Sequence, residues 1–270
     1  SFSNAQTSSS LNLAIDECIT QEPNIKEAAD FFGRVFFAGG EEMPTELKEL
    51  VTETWISRYG PTVGKGGRFP GSIFISKDSD QNINGVVVAD ICLLDMNNKE
   101  ILTKDDCEIL ITSKISKFGP KQRREFKGLS LPDLLANLMQ ESPWKNVETG
   151  EDIEFVLAPV LANLAVSSSA RGKGIARALC AEVESWSKNW LEKHLDNIQD
   201  IAEDSAEASK NVLGEVWLVA EPSNTPAISL YESMGYTERW INEQGSELRL
   251  ISDEVITETA THRAMSKPIM

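Results

Sequence analysis

Apolar and polar residues alternate over residues 11–19, the period of a half-buried strand. Ile25, Ala28, Ala29, Phe32, Val35 and Phe36 then recur at helical spacing behind Asn24 and Glu27, a capping-box arrangement without the usual Ser or Thr. Leu47, Leu50, Val51 and Trp55 mark a second helix, which Gly60 and Pro61 end. Residues 72–76 and 85–94 read as the strands of a hairpin turning through 78–84. A further apolar run covers 153–166, where Pro159 predicts a bulge or a strand start. Ile175, Leu179, Val183, Trp186 and Trp190 form a continuous helical stripe, which is core. Residues 216–220 read as a strand, followed by a short helix with Ala227, Leu230 and Tyr231 on one face. Asn224 or Thr225 caps that helix, Pro226 sits in its first turn and Gly235 stops it.

The junction at 164–176 carries the most chemistry. An apolar strand ending in Leu164, Ala165 and Val166 runs through a small-residue turn into a helix that opens with Arg171, Gly172, Lys173, Gly174, Ile175 and Ala176. The first amides of a helix have no partner inside it and carry the positive end of its dipole, so they stabilise an anion. Gly172 and Gly174 can take positive φ and aim several amides into one nest. The spacing is not that of a P-loop, because Lys173 is followed by Gly174 rather than Ser or Thr. A dinucleotide fingerprint also fails, since Arg177 occupies the place of its last Gly.

Arg171, Gly174 and Ala176 resemble the acetyl-CoA signature of the GNAT N-acetyltransferase superfamily, Gln/Arg-x-x-Gly-x-Gly/Ala. Asn224, Ala227, Leu230, Tyr231, Gly235 and Tyr236 are similar to its second hallmark, Asn-x-x-Ala-x-x-Leu-Tyr-x-x-x-Gly-Phe/Tyr, and residues 263–269 resemble its closing strand. The resemblance implies an α/β GNAT fold: a mixed, mostly antiparallel twisted sheet, splayed at the cofactor strand and flanked by helices. It also implies transfer of acetyl from acetyl-CoA to a primary amine on a protein N-terminus, a lysine or a small molecule. In that scheme Leu164, Ala165 and Val166 offer backbone groups to the pantetheine arm, and residues 171–176 cradle the diphosphate. Tyr231 is the candidate general acid, or else a core tyrosine that packs the sheet. Asn224 contacts the cofactor arm or simply caps its helix.

The general base is the open position. Many members of the family use a carboxylate on the cofactor strand, and residues 155–166 contain none. Glu154 is the candidate, with Asp152 behind it; both also read as ordinary exposed turn carboxylates. An ordered water, a carboxylate from an insertion, or proximity alone are the other routes. The gap keeps a second class of function in view: a GNAT-fold binding or structural subunit of a larger complex, using its insertions as contact surfaces.

Composition narrows the picture. At 270 residues the chain has the length of one elaborated domain or two small ones, given about 150 residues per domain. We read residues 1–10 as a flexible segment and 11–270 as a single GNAT domain, with insertions at about 96–152 and 196–212. Hydrophobic residues at 41% suit a soluble globule, and no run reaches the roughly 20 apolar residues of a membrane span. The net charge of −16 disfavours nucleic acid and favours cationic or amine substrates, although it also serves solubility alone. Cys18, Cys92, Cys107 and Cys180 form no C-x-x-C pair and only His194 and His262 are present, so neither a metal site nor a disulfide framework is expected. The polar start, Ser-Phe-Ser-Asn-Ala-Gln-Thr-Ser-Ser-Ser, matches what remains after an organelle-targeting peptide is removed, or an arbitrary boundary. The expectation is a plastid or other organellar matrix, otherwise the cytoplasm.

Two stretches exceed the family core. Within 96–152, Lys114, Lys117, Lys121, Arg123, Arg124 and Lys127 face only Glu125, a basic island that is a solvated surface, a dock for an acidic protein partner or a seat for the 3′-phosphate of CoA. Leu131, Leu134, Leu135, Leu138 and Met139 give an apolar helical face that must pack on the core or on a partner. In the second stretch Asp196, Asp200, Glu203, Asp204 and Glu207 crowd together as a solvated segment, or one that attracts a cationic substrate. Acceptor-pocket residues are expected on loops within 37–68 and 96–152.

Overall fold

The computed structural model describes residues 15–17, 22–59, 68–146, 149–199, 211–251 and 254–270. In chain order its elements are β1 (Ile15–Glu17), α1 (Glu22–Phe37), α2 (Thr45–Tyr59), β2 (Gly71–Lys77), β3 (Ile83–Asp95), β4 (Glu100–Ile101), α3 (Lys104–Ser116), α4 (Pro120–Phe126) and α5 (Leu131–Glu141). They continue with β5 (Trp144–Lys145), β6 (Asp152–Ile153), β7 (Phe155–Val166), a 3-10 turn (Ser168–Ala170), α6 (Ile175–Gln199), β8 (Glu215–Ala220), α7 (Thr225–Ser233), β9 (Thr237–Ile251) and β10 (Glu254–Pro268).

One sheet runs β1-β2-β3-β7-β8-β10-β9, with β4 on the margin of β3. The central strands β3 and β7 are covered on both faces, which is why they read as nearly continuous apolar runs. Among the strands of the described residues only β7 and β8 pair in parallel, because α6 crosses over between them and reverses the chain's direction once more than a hairpin would. The mixed, mostly antiparallel sheet is the one the resemblance implies.

The sheet splits between β7 and β8. Their ladder consists of Val160 opposite Trp217 and Leu161 opposite Leu218, after which β7 follows β3 while β8 follows β10. A bulge starts the divergence: Asn163 has φ 53°, and the β3–β7 register slips between Val86 and Val88. Asn tolerates this left-handed conformation better than a bulky residue, and the extra residue bends the strand away from its neighbour. Pro159 therefore marks neither a bulge nor a strand start. It lies inside β7 opposite Ile91. Two residues earlier the Leu157 amide points toward Asn211 on the β8 side, so the missing Pro159 N–H falls on the sparsely bonded side.

Three apolar clusters hold these layers. On one face Ile25, Ala29, Phe32, Val51 and Trp55 of α1 and α2 pack against Ile73, Ile75, Val86, Val88 and Ala165. On the other, Ile175, Leu179 and Val183 of α6 and Ile228 and Tyr231 of α7 pack against Phe74, Val87, Leu161 and Leu218. The segment 96–152 supplies the third. Ile111, Leu134, Leu135 and Leu138 meet Leu93, Leu94, Phe155, Val156 and Trp190, so the apolar face of α5 is part of the core. Thr103 and Ser130 cap α3 and α5 by accepting from the amides of Asp106 and Asp133.

Several boundaries differ from the sequence reading. Asn24 lies inside α1 rather than ahead of it, because the helix begins at Glu22 with Pro23 in the first turn. Of 11–19, only Ile15–Glu17 is described, paired with β2; residues 1–10 and most of the acidic stretch 200–210 also lie outside the described residues. The closing strand is not confined to 263–269. It is the end of β10, which forms a long ribbon with β9.

Candidate active site

The turn after β7 has the anion-holding geometry that its sequence suggests. Gly172 and Gly174 take φ 75° and 81°, and a Cβ at either would meet nothing within 4 Å, so their backbone opens outward. The helical ladder of α6 begins with the Ala178 amide donating to the Gly174 carbonyl, which leaves the amides ahead of it as the unpaired donors of a helix N-terminus. The Arg171 guanidinium folds back, its Nε donating to the Val166 carbonyl at 3.3 Å, and so stays beside the strand end. Arg177 donates to Ser233 Oγ at 2.7 Å, tying α6 to α7.

A cavity of about 230 Å³ opens here. Val166, Arg171, Gly172, Gly174, Ile175 and Ala176 line it together with Leu230 of the second motif. Lys173 turns instead to a neighbouring cavity of about 510 Å³ that Arg171 shares, bounded by α1, the β2–β3 turn and the 3-10 turn. Leu164 is half-buried at the splay, whereas the Ala165 side chain is buried against α1 and α2 and leaves only its backbone for a ligand. Asn224 Oδ1 accepts from the Ala227 amide at 3.3 Å and is the N-cap of α7. Where β8 leaves β7, Val219 stands 39% exposed, an apolar side chain on the lip of the cleft.

Tyr231 sits beneath the end of the β7–β8 ladder, clustered with Leu161 and Leu218, its ring edge-on to Tyr236 at 5.8 Å. Burial, with a smaller push from Cys180, raises its phenol above the ordinary value, so it holds its proton at neutral pH. Glu154 is placed elsewhere. It is exposed at the opposite end of β7 and fixed by its backbone, the amide donating to Asn97 Oδ1 and the carbonyl accepting from Met96. At roughly 3.3 Å per strand residue, that end is about 40 Å from Val166, which removes Glu154 and its neighbour Asp152 as bases for chemistry at the splay.

The basic island is likewise remote. Lys114 is buried, its ammonium donating to the Pro143 carbonyl at 3.1 Å and lying 4.6 Å from the centre of the Trp144 ring. Lys117, Lys121, Arg123, Arg124 and Lys127 are exposed near α4, whose Phe126 packs at the Phe155 end of β7. They stand at the far end of the sheet from the phosphate-holding turn, not where a CoA 3′-phosphate would reach.

One carboxylate escaped the sequence reading. Asp90 is buried in β3 opposite Val160, with Tyr59 donating to its Oδ2 at 2.8 Å. Its Oδ1 has no hydrogen-bond partner. Burial pushes its carboxyl up to about 6, against the pull of Lys104 and the Tyr59 hydrogen bond. The signal was available: Asp90 is a lone charge inside an apolar strand. Among the described residues there is no group of three or more His, Cys, Asp or Glu that could hold a metal ion, and no helix is long and apolar enough to cross a membrane.

Comparison with known proteins adds a family. The model of the acetyltransferase (GNAT) domain matches residues 146–238. Among solved structures the chain is similar to Arabidopsis thaliana NAA60 in complex with acetyl-CoA, at 15% identity over 94% of this chain and 97% of that one, with a TM-score of 0.45. It is similar to a chimera of spermidine N-acetyltransferase SpeG from Vibrio cholerae and hSSAT at 13% identity, over 95% of each chain, TM-score 0.46. The ribosomal-protein-S18-alanine N-acetyltransferase from Escherichia coli matches at 14% identity, over 95% of this chain and 94% of that one, TM-score 0.43. No curated protein sequence matches the chain. Residues 146–238, which contain the phosphate-holding turn, both lips of the cleft and Tyr231, are the part of the chain that matches the acetyltransferase (GNAT) domain.

Proposed function

We propose that this protein is an acetyl-CoA-dependent N-acyltransferase acting on a primary amine: a protein N-terminus, a lysine or a small molecule. The observation that carries the reading is the turn at 171–176, where two left-handed glycines and a helix N-terminus open onto a cavity beside the unpaired margin of β7. A diphosphate fits such a nest, since the amides supply donors without side chains in the way. The residues then divide the work. Arg171 and the amides of 172–176 hold the diphosphate. The diverging margin of β7 at Leu164, Ala165 and Val166 offers backbone groups to the pantetheine arm, and a backbone N–H there polarises the thioester carbonyl. Tyr231 supplies a proton to the departing sulfur. Asn224 serves the site through the helix that it caps. The acidic surface, at a net charge of −16, draws cationic amines toward the cleft.

A second reading, a binding subunit that keeps the donor pocket, rests on the exposed cations near α4, a surface that the donor site does not use. Incubation with acetyl-CoA and a panel of free amines, N-terminal peptides and lysine peptides, with thiol release followed by a colorimetric reagent, separates the two. Release with at least one acceptor class supports the enzyme. Donor binding without release from any class supports the subunit.

A further inference from the structure

The acetyltransferase reading leaves the acceptor's proton without a destination, and the far lip of the cleft supplies one. Val160 and Ala162 of β7 pack toward the α1 and α2 side of the sheet, and Trp217, opposite Val160, faces the same way. Alternation along β8 then places Val219 on that face, while Val216 and Leu218 point to α6 and α7. On β10, Ala264 lies opposite Val219 on the Trp217 side and Met265 lies on the α6 side, so alternation puts His262 on the face that carries Val219. Arg263 pairs with Ala220 at the last rung of the β8–β10 ladder, so His262 stands one residue past it, close enough to Glu221 to feel its charge.

The backbone around His262 is built for its ring. The β9–β10 register slips between Ala260 and His262, with the extra residue on β9 between Asn242 and Gly245. Across it, Gly245 leaves the space the imidazole occupies. A Cβ there would collide with His262 Nδ1 and stand 2.8 Å from Cγ and Cε1. The chain's other histidine, His194, is committed to the Trp190 carbonyl on α6 at 2.8 Å. Burial holds the His262 imidazole below its ordinary value while Glu221 pulls the other way. From β9 it meets uncharged Asn242 and Gly245. Burial thus favours the neutral imidazole, the form that accepts a proton.

We propose that His262 is the general base, taking a proton from the acceptor ammonium just past the end of β8, on the strand next to the one that forms the far lip of the splay. This rests on the acetyltransferase reading. The substrate is thus an ammonium small enough, or terminal enough, to reach from the open sheet face into the cleft. His262 accepts one N–H proton, the freed lone pair forms the new C–N bond as the thioester C–S bond breaks, and a second N–H proton ends on the departing sulfur. The products are an amide and a free thiol, and the imidazolium returns its proton to water.

The test uses the full chain, whose two histidines can be labelled and assigned by NMR with a His194→Gln variant. The His262 ring is expected to titrate below about 6.5, and its resonance is expected to move when acetyl-CoA is added. His262→Gln should retain acetyl-CoA affinity within about twofold, yet lose about a hundredfold or more in kcat at pH 7, with the loss shrinking as pH rises and free amine accumulates. Gly245→Ala, which displaces the ring without removing it, should reproduce the rate loss. A His262 resonance indifferent to bound acetyl-CoA, or a His262→Gln variant with the parent rate and pH profile, overturns the inference while leaving the function intact. Absence of acetyl-CoA binding by the parent chain overturns both.

Discussion

Tyr59 donates its phenolic hydrogen to Asp90 across 2.8 Å, joining the last turn of α2 to β3, the strand paired with β7. The pair is part of a buried polar group on the α2 side: Lys104 lies 4.9 Å from the centre of the Tyr59 ring and donates to the Arg58 carbonyl at 3.0 Å. Gly71 makes room for it, because a Cβ there would collide with Asp90 Oδ1 and lie 3.1 Å from Tyr59 Cε1.

This arrangement gives stability a pH dependence of a definite sign. Asp90 titrates near 6 in the folded protein, above its ordinary 3.8, so the folded state binds the proton more tightly than the unfolded chain does. Its contribution is full below pH 4 and is lost as pH rises toward 6 and beyond, by roughly 3 kcal/mol at most. Asp90→Asn should remove that term. In urea denaturation the variant and parent should be close at pH 4, and the variant should gain on the parent by pH 7. Parallel profiles would show that Asp90 does not titrate in this window.

The phosphate-holding turn predicts a graded pair of variants. Gly174 has φ 81° with open space around it, so Gly174→Ala costs backbone strain of about 1–2 kcal/mol but blocks nothing. Gly174→Glu adds a carboxylate where the diphosphate is expected. The alanine variant should keep most of its acetyl-CoA-induced rise in Tm, and the glutamate variant should lose it. Equal losses would mean that backbone shape rather than charge exclusion governs the site.

The segment 96–152 is structural. Leu138 is fully buried against the strand ends, so Leu138→Ala should destabilise the whole chain by about 2–5 kcal/mol in a single transition. A separate early transition would show that the segment melts on its own.

The cations near α4 should be silent in donor binding. Reversing Lys121, Arg123 and Arg124 to Glu alters an exposed surface at the far end of β7, and the acetyl-CoA dissociation constant should stay within about twofold. A tenfold weakening would place a CoA phosphate there after all.

What the sequence disclosed, and what it concealed, follows from the range of the interactions. The turn at 171–176 and the cap at Asn224 were legible because their chemistry is local: glycine, arginine and asparagine act within a few residues of themselves. The two central strands were legible because burial on both faces leaves long apolar runs. The β9–β10 ribbon was not, because its charged and apolar residues follow no strict alternation along residues 237–268. The Tyr59–Asp90 pair spans 31 residues and rests on tertiary folding. Glu154 was misplaced for a related reason: its distance in sequence from the cofactor turn gave no sign that a single strand, β7, spans nearly all of that length.

The central claim, that the amides after residue 170 grip the diphosphate of acetyl-CoA, is tested most directly by titrating acetyl-CoA into the full chain in a calorimeter, with the Gly174→Glu variant alongside. The account predicts saturable one-to-one binding to the parent and none to the variant. No heat with the parent, or equal binding by both chains, would contradict it.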